Sequence, residues 1–272
     1  MNEERAPTFK ERNRCDGNAL RPTILLYPTG VYFTPYDPDP AHLDIRCLAH
    51  GLAGTNRFNG HTRDLMNVAH HSVIVSLRIE AVEGMSMPIA SRDIPMDPQS
   101  RAMSELDQGF KQTENVTKDR SNAPLKGLLH DSPEGVSGFG DVAGPVKHHE
   151  RIKEAIEWVE GRISDAIAMN YGLPRGFSSE ACVKAADTWA YHWENRDLRG
   201  INPPEGVMLP SEKLVPLDRD KARGVFLCRY MELTCREIGE VPWSFDIDSG
   251  RFWLVEMRRI LAALCGGALV SK

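Results

Sequence analysis

A mostly α-helical bundle with a small β-hairpin near its N-terminus is the fold class that the sequence predicts, and three observations predict it. Residues 22–36, PTILLYPTGVYFTPY, are β-branched and aromatic on both sides of Pro28-Thr29-Gly30, the pattern of a hairpin. Beyond Pro40 the apolar stripes follow a helical period. The clearest of them lies in residues 149–171, where Ile152, Ile156, Val159, Ile163 and Ile167 mark one face and Gly172 with Pro174 forms a stop.

The elements follow in order. Pro40 opens a first helix over AHLDIRCLAHGLAG, with Leu43, Cys47 and Leu48 inward and Gly51 or Gly54 at its end. Leu65, Val68, Ser72, Val75 and Ile79 then make the stripe of a helix running to about residue 82. Residues 83–123 mix Met, Pro, Ser, Gln and charges without periodicity and read as an inserted loop; a surface excursion is the plainer reading and a lid over a site the sharper one. Pro124 begins another helix through LKGLLHD. Ser178-Ser179 can cap a helix that turns Val183, Ala186, Ala190 and Trp193 inward. Two further helices are expected at about 218–238 and 251–265. The 272 residues thus divide into an N-terminal segment 1–21, a core domain 22–194 containing the insertion, and a C-terminal helical extension 195–272 that packs on the core or on another subunit.

Composition narrows the function classes. Hydrophobic residues make up 41% and charged residues 26%, as in ordinary globular chains, so wholesale disorder is not expected. The net charge is −5 and basic residues are scattered, which gives no electrostatic footprint for nucleic acid. The charged opening MNEERAPTFKERNR lacks the apolar core of a secretory signal, and no apolar run is long enough to cross a bilayer, so a cytoplasmic protein is expected. The six cysteines show no C-x-x-C spacing and read as small core hydrophobes, not as a zinc ribbon or redox pair.

The chemistry concentrates in LLHDSPEGVSGFGDVAGPVKHHE, residues 128–150, where an apolar run ends in His130-Asp131. Further on, Asp187 sits four residues past Val183 and three before Ala190, on the apolar face of its helix. A buried carboxylate needs a cation, a metal or strong hydrogen bonds, and Lys184 lies at the wrong edge to serve. A metal shared with His130, Asp131 and one of His70 and His71 resolves the cost. Only one of that pair can face the ion, since neighbouring helical residues point about 100° apart. Two imidazoles and two carboxylates suit Mn, Co, Zn or Fe, and Mg less well.

Five blocks, RFNGHT, NVAHHSVIVS, GLLHDSPE, GDVAGPVK and VKAADTWAY, occur in an order that resembles the HD superfamily of helical metal-dependent phosphohydrolases, in particular the branch of bacterial 5′-deoxynucleotidases and phage deoxyadenosine triphosphate triphosphohydrolases. The resemblance spans roughly residues 30–193 and identifies the core domain as an HD domain. It implies that His71, in the pattern V-x-x-H-S, joins His130, Asp131 and Asp187 as metal ligands. It further implies that Glu134 orients the nucleophilic water, that Arg57 grips a substrate phosphate beside Phe58, that Asp141 contacts the sugar, and that Lys147 lies near the phosphates. His61 is expected either to line the site or to stabilise its turn. His42, His50 and His70 are expected at the surface or the core edge. Pro133 departs from the family pattern and should kink or end the helix before Glu134. The implied function is hydrolysis of a nucleotide phosphoester, with a small-molecule nucleotide as partner and a homo-oligomer expected. The alternative is a non-catalytic, metal-containing nucleotide sensor or scaffold.

Overall fold

The computed structural model describes residues 23–86, 122–243 and 246–266. Strands β1 (Ile24–Leu26) and β2 (Val31–Phe33) pair antiparallel, with Ile24 opposite Phe33 and Leu26 opposite Val31. Leu26 and Phe33 face the core while Leu25 and Tyr32 face solvent, the alternation of a half-buried hairpin. Gly30 closes the turn at φ 70°, where a side chain is disfavoured.

The rest is helical: α1 (Ile45–Gly54), α2 (Val68–Ser86), α3 (Ala123–Leu129), α4 (Gly144–Lys147), α5 (Glu150–Tyr171), α6 (Ala181–Glu194), α7 (Arg219–Thr234) and α8 (Ile247–Gly266). The expected fold class, a mostly helical bundle with a small hairpin, is therefore observed. Several boundaries differ from expectation. The helix expected from Pro40 is split, because Asp39 caps a 3-10 turn over Pro40–His42 and Asp44 starts α1 anew by accepting the Arg46 amide. In α6, Ser178 and Ser179 belong to a preceding 3-10 turn and do not cap. Glu180 stands at the cap position, but its carboxylate is drawn 2.8 Å from the buried Lys126 ammonium. Ile152 is exposed at the start of α5, although Ile156, Val159, Ile163 and Ile167 are buried as expected.

α2 is the central correction. It begins at Val68, not Leu65, because Asn67 accepts the His70 amide; Leu65 is exposed. From Val68 to Leu77 every residue is buried, so this stretch of the helix has no solvent-facing side, whereas Arg78, Glu80 and Val82 beyond it are half-buried or exposed. α2 packs against α1, α3, α6, α7 and α8. His70, expected at an edge, is fully buried, with Nδ1 accepting the Leu217 amide; burial pushes its pKa down to about 3 and keeps it neutral. α2 continues through Ser86 and α3 starts at Ala123, so both ends of the expected insertion are helical. Its remainder, 87–121, and with it the lid reading, lies outside the described residues. Cys47 and Cys228 are buried as expected, whereas Cys182 and Cys235 are exposed. No helix among the described residues is long and apolar enough to cross a membrane.

One close approach couples the fold to the site. α1 passes the 3-10 turn Ser132–Gly135 backbone to backbone: a Cβ on Gly51 would overlap the Gly135 carbonyl, and a Cβ on Gly135 would stand 2.8 Å from the Leu52 nitrogen. Gly51→Ala is expected to destabilise the protein by about 1–3 kcal/mol, since backbone must shift to admit the methyl group. Chemical denaturation measures this, and an unchanged midpoint would show that the two segments stand apart.

Candidate metal centre

Three elements bring the site together. α2 carries His71 into the core. α3 ends at Leu129, and His130 caps it by donating Nδ1–H to the Gly127 carbonyl at 2.8 Å. The backbone leaves helical geometry at Asp131, ahead of the Ser132–Gly135 turn that holds Pro133 at its start, which is how the expected helix break occurs. α6 supplies Asp187 and, two turns on, Glu194.

Nε2 of His71 lies 3.2 Å from Asp187 Oδ1 and 3.5 Å from Asp131 Oδ2. Nε2 of His130 lies 3.1 Å from Asp131 Oδ2 and 3.9 Å from Asp187 Oδ1. Both nitrogens are buried, and none of these contacts has hydrogen-bond alignment. Ligand atoms of His71, His130 and Asp187 lie within 4.8 Å of one another, so these residues can hold a metal ion. Asp131, expected as the fourth ligand, has Oδ2 beside both imidazoles but does not belong to this mutually close group. Donors about 2.1 Å from one ion stand roughly 3.0–3.4 Å apart, close to most of the separations found. Two orphaned imidazole nitrogens facing two carboxylates fit a divalent cation of intermediate hardness.

The charges are strongly coupled. Burial disfavours charge on His130, yet Asp131 and Asp187 push its pKa up to about 10. His71 is raised against its burial and the repulsion of Arg57, by Glu194 and Asp187. Burial raises the pKa of Asp131 and of Asp187, but the two imidazoles outweigh it and hold both carboxyls well below the usual range. Glu134 is the opposite case: burial, then the charges of Asp131 and Asp141, raises it well above an ordinary glutamate.

The other expected residues surround this cluster unevenly. His130, Asp131, Glu134 and Lys147 line one cavity of about 370 Å³, together with further acidic side chains. Lys147 bridges Glu160 Oε2 at 2.9 Å and Glu134 Oε1 at 3.7 Å. Arg57 does not line the cavity. Its Nε and Nη2 face Glu194 Oε2 at 3.4 and 3.3 Å, and Nη1 lies 3.7 Å from Asp131. Phe58 and Asn59 adopt left-handed backbone at φ 56° and 51°, uncommon for residues with a Cβ. Asp141, expected at a sugar, accepts the Phe58 amide at 2.8 Å and so holds this turn. The Phe58 ring lies near the guanidinium groups of Arg57 and Arg199, at 5.3 and 4.8 Å. His61 is exposed at the end of the turn and joins none of these contacts among the described residues.

Glu194 is the residue that the sequence reading missed. It is fully buried, and its Oε1 lies 2.6 Å from His71 Nδ1. The signal was present: seven residues after Asp187, it shares that residue's helical face, next to the inward Trp193, so the cost of a buried carboxylate applied to it equally.

No model of a known protein family matches the chain. The chain is similar to an uncharacterized protein of Rhodobacter capsulatus, with 27% identity over 173 residues that cover 62% of this chain and 69% of the relative.

A cation and protons compete for the same two Nε2 atoms, which fixes the sign of a pH effect. Protonated His130 stabilises the metal-free fold fully below its unfolded-state pKa near 6.5, and that contribution is lost as pH rises through about 10. Metal affinity should therefore rise from pH 6 to pH 8.5, by roughly tenfold per unit for each proton displaced. Calorimetric titration with Mn or Co in buffers of different ionisation enthalpy measures the protons released; pH-independent binding without release would exclude the imidazoles as ligands.

Proposed function

We propose that the chain is a metal-dependent phosphohydrolase of the HD type that cleaves a nucleotide phosphoester, with a deoxynucleoside monophosphate or triphosphate as substrate. The observation that carries this reading is the pair of buried, unpartnered Nε2 atoms of His71 and His130 facing Asp131 and Asp187. These are the four positions that the family resemblance assigns to the metal.

A divalent cation on these four residues, Mn, Co, Zn or Fe in preference to Mg, supplies a Lewis acid for a phosphoryl oxygen. The chain's own residues do the rest. Glu134, on the wall of the cavity next to Asp131, takes a proton from the attacking water as the new P–O bond forms. The same proton then passes to the leaving oxygen as its bond to phosphorus breaks. Lys147 keeps an ammonium beside Glu134 and offers a point charge to a phosphate entering the same cavity. Arg57 has two nitrogens turned to Glu194, which leaves Nη1, near Asp131, as the edge that can meet a phosphoryl oxygen. Asp141 serves this arm indirectly, by fixing the turn that carries Arg57 and Phe58.

The test is a panel of deoxynucleotides and ribonucleotides assayed with Mn, Co, Zn and Mg for phosphate, pyrophosphate and triphosphate release, with Asp131→Ala as the blank. Glu134→Gln should lower kcat by about 10²–10⁴-fold while bound metal stays stoichiometric. Release no greater than the blank with every metal and nucleotide would leave the non-catalytic, nucleotide-sensing alternative in its place.

A further inference from the structure

We infer that Glu194 is a positioning residue that selects Nε2 of His71 as the metal-facing atom and ties that ligand to Arg57; the inference rests on the metal-site reading above. An imidazole can present either nitrogen, and what the other one binds decides which. Nδ1 of His71 lies 2.6 Å from Glu194 Oε1, and an ionised carboxylate only accepts, so Nδ1 carries the proton and the Nε2 lone pair faces Asp131 and Asp187. His130 reaches the same orientation by a different route, with Nδ1–H donated to the neutral Gly127 carbonyl. The two ligands are thus set by partners of different charge. A full negative charge behind His71 makes its ring the more basic donor, whereas a carbonyl dipole only orients its ring.

The second carboxylate oxygen does separate work. Glu194 Oε2 takes the Nε and Nη2 edge of Arg57, whose Nη1 then reaches toward Asp131. A closed circuit results, running from Asp131 through Arg57 and Glu194 to His71 and back to Asp131. The side chain of Glu194 is fully buried and that of Arg57 nearly so, so water cannot screen or replace these links. Occupation of the metal position and the orientation of the arginine are therefore set by one side chain, on the same helix as ligand Asp187. Glu194 touches neither ion nor substrate; it acts through His71 and Arg57.

The test uses the full-length protein loaded with Co(II). Glu194→Gln keeps an acceptor for Nδ1–H but removes the charge, and its amide nitrogen opposes the Arg57 donors; Glu194→Leu removes both functions. Affinity measured against a chelator should fall in the order wild type, Gln, Leu, by roughly 10–100-fold for Gln. The visible Co(II) bands should shift in both variants. Glu80→Gln, which weakens the half-buried ion pairs with Arg229 and Arg258 elsewhere in the bundle, serves as control: it should lose stability with no change in affinity or spectrum. Nitrogen-15 NMR of the wild-type imidazoles in the diamagnetic Zn-loaded protein decides the matter even if a variant fails to fold, because a metal-loaded His71 must show a protonated Nδ1. Variants within twofold of wild type with unchanged bands, or an Nδ1-ligated His71, would overturn the inference and leave the metal site standing. A wild-type protein that takes up no ion would overturn both.

Discussion

Charge compensation at a single point in the core is the constraint on which the molecule turns. Asp131, Asp187 and Glu194 gather around His71, with Glu134 close behind; Arg57 is a permanent cation inside the group, and at its edge Lys147 lies 3.7 Å from Glu134 and Lys184, against expectation, 3.9 Å from Asp187. Carboxylates brought this near one another repel strongly in a medium from which water is excluded. Protons on two imidazoles can balance them, as the raised pKa values of His71 and His130 express, and so can a divalent ion at the same nitrogens. The arrangement thus stores a preference for positive charge at a defined place, and a cation satisfies it without consuming hydrogen-bonding groups needed elsewhere.

The scaffold buries the His71 side of that place, while Asp131 and Asp187 stay partly exposed. The Val68–Leu77 part of α2 is enclosed on every side, and the C-terminal helices α7 and α8 complete the enclosure. On that side Asn67 donates to the Leu217 carbonyl, Arg229 donates to Ser76, and His70 packs edge-on against Trp253. Adjacent histidines on one helix consequently meet opposite fates. His70 has apolar surroundings and a backbone donor, and stays neutral; His71 faces carboxylates and is drawn toward charge. On the opposite side of the site, the glycine contact between α1 and the Ser132–Gly135 turn lets two backbones touch and fixes where Glu134 stands.

The acidic cavity and the buried arginine bear on how a phosphate could be held. Lys147 is already shared between two glutamates, and Arg57 is bound along one edge by Glu194. Under the proposed function each cation would therefore meet a phosphate from within an existing ion pair, so affinity would depend on exchanging partners, not on filling a vacant positive pocket. Such an arrangement would favour a ligand that brings its own charge to both the metal position and the cations together.

What could be read from the chain alone was local or periodic. The hairpin, the long α5 and the inward face of α6 follow from patterns of two and of three to four, which depend only on neighbours in sequence. The sequence also indicated that His71, His130, Asp131 and Asp187 are costly groups at apolar positions, which is a statement about desolvation and needs no coordinates. Tertiary structure decided the rest. The Val68–Leu77 part of α2 has no amphipathic stripe because five helices surround this helix, and periodicity carries no information about a segment buried all round. The engagement of Arg57 by Glu194 joins residues 137 apart in the chain. Asp141 supports a strained turn and not an open pocket because its partner amide arrives from another segment. A side chain's chemistry is written in its residue type, but which charge stands opposite it depends on how the helices pack, and that was settled only in three dimensions.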